Sequence, residues 1–306
     1  MKAIKLLSVF ILTTTLLTSC VDPVDRGYYD GITLEQLLTS YDLWYIDYNS
    51  TTGNGDVPFL SKAFTISFIN GNLYANNNLV GFSKNGVGNG YGDQIGYYDT
   101  YNGFLEVDHD LDGYIDLQVD QYSENEIGLR DTYTNTTYYL IGYNKNNFDY
   151  DAVFYDNIEY FLQEYEAWEK TYTSSEGTVN QFDNENFLQF TPENLTTFYS
   201  SEDQTGTDVA YINWDYVGSY EVFDVQGYEN LKILTLDYGS YGNEEFELSV
   251  IDDGAVKLYH PASKTTYEFT GRENIIYKNA KENTLKDTGR KRFKVTRKVK
   301  QKSTTI

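Results

Sequence analysis

Residues 32–41, ITLEQLLTSY, run straight into Leu43-Trp44-Tyr45-Ile46, and the same kind of junction occurs a second time. Residues 157–165, NIEYFLQEY, run into Ala167-Trp168-Glu169-Lys170-Thr171-Tyr172. Thr33-Leu34-Glu35-Gln36 has the form of a capping box, with Thr33 as N-cap and Gln36 three positions on. Asp156-Asn157-Ile158-Glu159 again sets an N-capping residue three positions before an acid. Each junction therefore predicts a short helix followed at once by a strand that carries a tryptophan.

Working outward, an alternating apolar strand follows each junction: Phe64-Thr65-Ile66-Ser67-Phe68 and Phe187-Leu188-Gln189-Phe190. The first ends in Asn70-Gly71, a strong hairpin signal. In the first half further strands are expected at IGYYDT, GFLEV, YIDLQVDQY, EIGLR and TTYYLIGY. In the second half they are expected at YINWDYV, YEVFDV, LKILTLDY, EFELSVI, AVKLYH and TTYEFTG. Composition agrees: 31 tyrosines, 17% aromatic residues and only 4 prolines suit pleated, half-buried surfaces. The expected fold is all-β, two tandem antiparallel barrels or sandwiches of about eight short strands, each preceded by a short helix. The halves run over 32–150 and 151–277, and their matching order points to an internal duplication.

This layout resembles the lipocalin-like domains of bacterial lipoproteins, in which a short helix closes one barrel end and a tryptophan on the first strand packs against it. The likeness covers about 42–145 and 165–275, with Asp42 and Glu166 where lipocalins proper have glycine. It implies a module that carries or senses an apolar small molecule, although many such barrels have filled interiors.

The N-terminus has the layout of an export signal. A basic Met1-Lys2-Ala3-Ile4-Lys5 precedes an apolar run to Leu17, too short for a stable membrane span. Leu17-Thr18-Ser19-Cys20 resembles the lipobox of bacterial lipoproteins. That implies a signal peptide over 1–19, acylation of Cys20, and a tether over 20–31. In the resembling enterobacterial proteins an aspartate directly after the cysteine retains the protein in the inner membrane. Here Val21 stands in that place, which favours the outer membrane. More than one acyl chain gives lasting attachment. Cys20 is the only cysteine, so the mature body has no disulfide.

Charge is unevenly distributed. Residues 278–306 carry 11 basic and 2 acidic side chains, whereas 20–277 carry 10 basic and 44 acidic ones. An acidic body argues against nucleic acid as a partner, since phosphate contacts need a basic face. The tail alternates basic and apolar residues from Arg290 to Lys300. It is expected to be a disordered, solvated extension; docking on the acidic body or on anionic headgroups is the alternative.

One segment has chemistry in its spacing. Asp108-His109-Asp110-Leu111-Asp112-Gly113-Tyr114-Ile115-Asp116 sets carboxylates at alternate positions with glycine at the turn. Three such carboxylates can converge on a hard cation. Val119 stands where an EF-hand has its bidentate glutamate, and strands flank the loop. The segment instead resembles the strand–loop–strand calcium hairpins of integrin-type propellers and thrombospondin-like repeats. One structural calcium is expected, on Asp108, Asp110, Asp112, Asp116 and the carbonyl of Tyr114. The same residues also read as an acidic β-turn.

Catalysis has little to build on. There are two histidines, His109 and His260, no nucleophile elbow, no phosphate loop and no histidine cluster for zinc. A carboxylate-pair hydrolase would need only two acids, but none of the many stands out. The expected function is a non-enzymatic, membrane-anchored binding or interaction module. Its ligand would be an apolar molecule inside a barrel or a glycan on exposed aromatics, and a purely structural envelope role is the third possibility. The Asn- and Gly-rich stretch 79–96 is expected to be a long loop.

Overall fold

The computed structural model describes residues 31–76, 91–191, 196–252, 254–274 and 292–302. The expected signal peptide, Cys20 and all but Gly31 of the expected tether lie outside the described residues, as does most of the 79–96 stretch. The part of that loop from Asp93 on belongs to a strand.

The first barrel begins with helix α1 (Leu34–Leu38) and closes from eight strands. These are β1 (Leu43–Thr52), β2 (Thr65–Ile69), β3 (Asn72–Asn76), β4 (Asp93–Tyr101), β5 (Phe104–His109), β6 (Gly113–Gln121), β7 (Glu126–Asp131) and β8 (Thr136–Tyr143). Helix α2 (Pro58–Lys62) lies between β1 and β2. Helices α3 (Tyr150–Asp156) and α4 (Ile158–Leu162) lead into the second barrel. Its strands are β9 (Tyr165–Thr173), β10 (Phe187–Phe190), β11 (Thr197–Ser201), β12 (Tyr216–Val225), β13 (Tyr228–Asp237), β14 (Asn243–Asp252), β15 (Ala255–His260) and β16 (Thr265–Asn274). Every strand pairs antiparallel with the next, β8 returns to β1, and β16 returns to β9. The two tandem eight-stranded barrels expected from the strand pattern are present.

The junctions that open the two halves are built alike. Trp44 Nε1 donates to the carbonyl of Leu38 at 2.9 Å, and Trp168 Nε1 to that of Leu162 at 2.7 Å. Each tryptophan thus satisfies a free carbonyl at a helix C-terminus. Tyr41 meets Trp44 edge-on at 5.1 Å, and Tyr165 meets Trp168 edge-on at 4.8 Å. Across the ladder Trp44 faces Gly142 and Trp168 faces Gly271. A Cβ on either glycine would lie 2.4 Å from the ring of Tyr41 or Tyr165. A tyrosine three positions before the tryptophan and a glycine opposite it form one repeated packing unit, strong support for duplication.

The capping box at Thr33 forms as expected, with Gln36 N donating to Thr33 Oγ1 and Thr33 N to Gln36 Oε1. The second one does not. Asp156 ends α3, and Asn157 precedes α4 without capping it. Asn157 Nδ2 instead donates to the Tyr45 hydroxyl and to the carbonyl of Val153. YINWDYV also differs from the strand expected of it. Val209–Tyr211 is a 3₁₀ turn, and Ile212 and Trp214 pack on Ala167 and Phe187 on the outside of the barrel.

Side chains fill both interiors. Ile66, Leu73, Leu105, Leu117, Ile127 and Leu129 have no accessible surface, nor do Phe182, Phe198, Leu234, Phe246, Leu248 and Phe269. Outward-facing Leu43 and Tyr45 are buried too, in a core shared with Phe64, Tyr160, Phe161 and Trp168. Strand β1 is covered on both faces, which is why Leu43-Trp44-Tyr45-Ile46 is apolar without alternation.

Residues 292–302 differ from the solvated extension expected of 278–306. They lie along the seam between the barrels and end in strand β17 (Val299–Lys300), parallel to β12. The acidic body supplies partners: Lys298 pairs with Glu221, Lys300 with Glu245 and Lys302 with Glu247.

Candidate binding face

The Asp-rich segment forms the β5–β6 hairpin. His109 pairs with Gly113 across a three-residue turn, and Gly113 adopts a positive φ of 75° that closes it. Strand alternation points His109 inward. Its ring stacks on Phe59 of α2 at 5.4 Å, and its Nδ1 accepts from the backbone N–H of Asp112 at 3.0 Å. Burial pushes the imidazole pKa down.

The residues expected to hold calcium lie on this hairpin. Asp108 and Tyr114 are cross-strand partners on the outer face, and Asp116 sits opposite Glu106. Asp112 turns back towards His109, its carboxylate 3.0 Å from Nδ1. Among the described residues no group of three metal-ligating side chains is assembled. Backbone pairing of β5 with β6 continues to His109 and Gly113, so Asp110, Leu111 and Asp112 form the turn and Asp108, Tyr114 and Asp116 lie in the ladder.

The ladder assembles something else. On the outer face of β4–β5–β6 three rows lie in register: Tyr97, Asp108 and Tyr114; Asp99, Glu106 and Asp116; Tyr101, Phe104 and Gln118. Adjacent strands are about 4.8 Å apart, so each row spans roughly 10 Å. Tyr97, Tyr101 and Tyr114 are 56%, 65% and 62% exposed. The Tyr114 hydroxyl stands beside the Asp116 and Glu106 carboxylates, and desolvation together with these neighbours pushes its pKa up to about 12. On this face the three tyrosines, Asp99, Asp108 and Asp116 are exposed, Phe104 and Glu106 are half-buried and Gln118 is buried. Four of its acids are unopposed by a base within the three rows. Period-2 alternation of tyrosine with aspartate in β4 and β6 was the sequence signal for this face; its cross-strand register was not.

Sequence reasoning also missed a polar cluster in the second barrel. There Lys170 Nζ donates to the Asp183 carbonyl at 2.6 Å, and the Tyr238 hydroxyl donates to Glu185 at 2.7 Å. Burial pushes Glu185 up to about 7 and Lys170 down to about 8. Nearby, His260 Nε2 lies 2.8 Å from Glu244 and its Nδ1 lies 2.8 Å from Ser263 Oγ. Serine, histidine and glutamate are the components of a nucleophile relay. Ser263, however, is buried, donates to Thr265 Oγ1 and sits in the β15–β16 turn. That places it as a tie across the turn. Lys170, Glu185, Tyr238, Glu244 and His260 come from separate segments, so no local motif could have revealed their meeting.

No protein-family model matches the chain, and no curated protein matches it. The site must be read from its own geometry.

Proposed function

We propose that the protein is a non-enzymatic, envelope-anchored binding module whose ligand is a neutral glycan held on the outer face of β4–β5–β6. The anchor is the acylated Cys20, with the outer membrane as the destination. The observation that carries the reading is the registered set of Tyr97, Tyr101 and Tyr114 among Asp99, Glu106, Asp108 and Asp116. Tyrosine offers a flat apolar ring with a polar rim, suited to a ligand with alternating apolar and hydroxyl surfaces. The carboxylates accept hydroxyl hydrogens, and their summed charge selects against anionic polymers. The filled barrel interiors favour this external surface over an enclosed apolar ligand.

Affinity electrophoresis of a soluble form beginning at Val21, through gels containing neutral α-glucan, β-glucan, mannan or xylan, tests the reading. At least one polymer should retard the protein. Tyr97→Ala with Tyr114→Ala should weaken that retardation about tenfold or more, while Tyr211→Ala with Tyr241→Ala, on the second barrel, should leave it unchanged. Migration unaffected by every polymer would exclude a neutral-glycan role and leave a structural envelope function.

A further inference from the structure

Arg292 is the most deeply buried basic group among the described residues, only 4% exposed. Burying a guanidinium costs several kcal/mol, on the order of a buried ion, unless its donors are matched. Here they are matched by neutral acceptors from three separate elements. Nη1 donates to the carbonyls of Ile46 on β1 (2.7 Å) and Ala63 after α2 (3.1 Å). Nη2 donates to Oδ1 of Asn157, between α3 and α4, at 2.7 Å. The guanidinium carbon lies 4.3 Å from the centre of the Phe64 ring and 5.3 Å from that of Tyr48. A planar fork against carbonyls and aromatic faces is a pocket for arginine and a poor one for lysine.

A second arginine fits as closely. Arg297 makes a two-pronged bond to Glu159 through Nε and Nη2, and Nη2 also reaches the carbonyl of Asp156. Between the two, Val295 N donates to Asn49 Oδ1. Beyond them the chain adds a strand: Asp224 N donates to the Lys298 carbonyl and Gln226 N to that of Lys300, each at 3.0 Å. This is the manner in which extended peptides add to a sheet edge. It occurs where β12 has left its pairing with β11, which ends at Ser219.

We propose that the seam between the barrels is a recognition site for an extended segment carrying two arginines five residues apart, and that the chain's own C-terminal arm is its resident ligand. Arg292 is the anchor and β17 the added strand, so the arm straps the barrels together and covers the free edge of β12. The displaced Asn157 cap is explained by the same site, since its amide serves the seam in place of α4.

The test uses the full soluble chain from Val21 and a labelled peptide of residues 290–302. Wild type, its seat filled, should bind the peptide at least tenfold more weakly than Arg292→Ala with Arg297→Ala. A peptide carrying Arg292→Lys and Arg297→Lys should bind the double variant at least tenfold more weakly than the native peptide. Equal binding of the two peptides would overturn the proposal, leaving only charge attraction to an acidic surface. So would tight binding of the peptide to wild type, which would mean the seat is open. Hydrogen exchange on wild type stands apart from whether the variant folds: the amides of Val295, Asp224 and Gln226 should be protected at least a hundredfold over free peptide rates. Exchange at free peptide rates would overturn the proposal by itself.

Discussion

Gly142 and Gly271 show how single residues carry the repeat. Each faces its tryptophan across the ladder, and each leaves room for a tyrosine ring that a methyl group would strike. Gly142→Ala and Gly271→Ala should each destabilise by about 1–3 kcal/mol through overpacking, measured by urea denaturation. Gly227→Ala is the control: nothing lies within 4 Å, but φ is +79°. It should cost about 1–2 kcal/mol from backbone strain alone, and shortening Tyr41 or Tyr165 should not relieve it. If shortening the tyrosine fails to rescue Gly142→Ala or Gly271→Ala, the packing unit is wrongly described. Glu185 is the residue-scale case for pH. Its folded pKa, raised by burial to about 7, exceeds the ordinary 4.5. Between those values the folded protein holds a proton that the unfolded chain has released, so stability falls as pH rises through that window. Glu185→Gln keeps an acceptor for Tyr238 and removes this slope. Thermal melts should therefore show the variant gaining on wild type between pH 4.5 and pH 8; parallel profiles would mean that Glu185 titrates normally.

At the scale of the element, the β5–β6 hairpin separates what a motif says from what a register does. Alternate aspartates were legible in the sequence and suggested an ion. Pairing of Asp108 with Tyr114 up to the turn puts them on an open face, and His109 satisfies the turn from within. Melting temperatures in calcium and in chelator, at equal ionic strength, should therefore coincide, as should those of Asp110→Ala with Asp112→Ala. A calcium-dependent rise that this double variant abolishes would mean that the turn reopens around a cation. Strand β3 was foreshadowed only by the Asn70-Gly71 hairpin signal before it, and β11 by nothing. Both are short and polar, NLYAN and TFYSS, and owe their strand conformation to the neighbours that pair with them. Of the strand expected at YINWDYV only Tyr216 and Val217 form, as the start of β12. Its alternation is real, but Ile212 and Trp214 bury against a sheet face rather than within a ladder.

Across the whole molecule, two barrels share a core and a strap. The −34 body and the +9 tail were visible as numbers, and their attraction was one of two readings of the tail. Which reading holds depends on groups spread over the fold: Ile46, Ala63 and Asn157 for Arg292, Glu159 for Arg297. The pairs of Lys298 and Lys300 are partly exposed and will weaken with salt, whereas Arg292 and Arg297 are shielded from it. The proposed glycan face belongs to the first barrel and the proposed arginine seat to the seam, so loss of one without the other is expected from the variants above.

By itself the sequence determined the all-β class, the two-part organisation, the helix-to-strand junctions at Trp44 and Trp168, and most of the strand segments. These follow from periodicity, capping and composition, which act over a few residues and are written locally. Only the tertiary structure decided the register that lines up Tyr97, Asp108 and Tyr114, the double-sided burial of β1, the polar cluster around Glu185, and the seat of Arg292. Each of these joins residues distant in the chain, and their contact energy depends on closure of the barrels rather than on any local pattern.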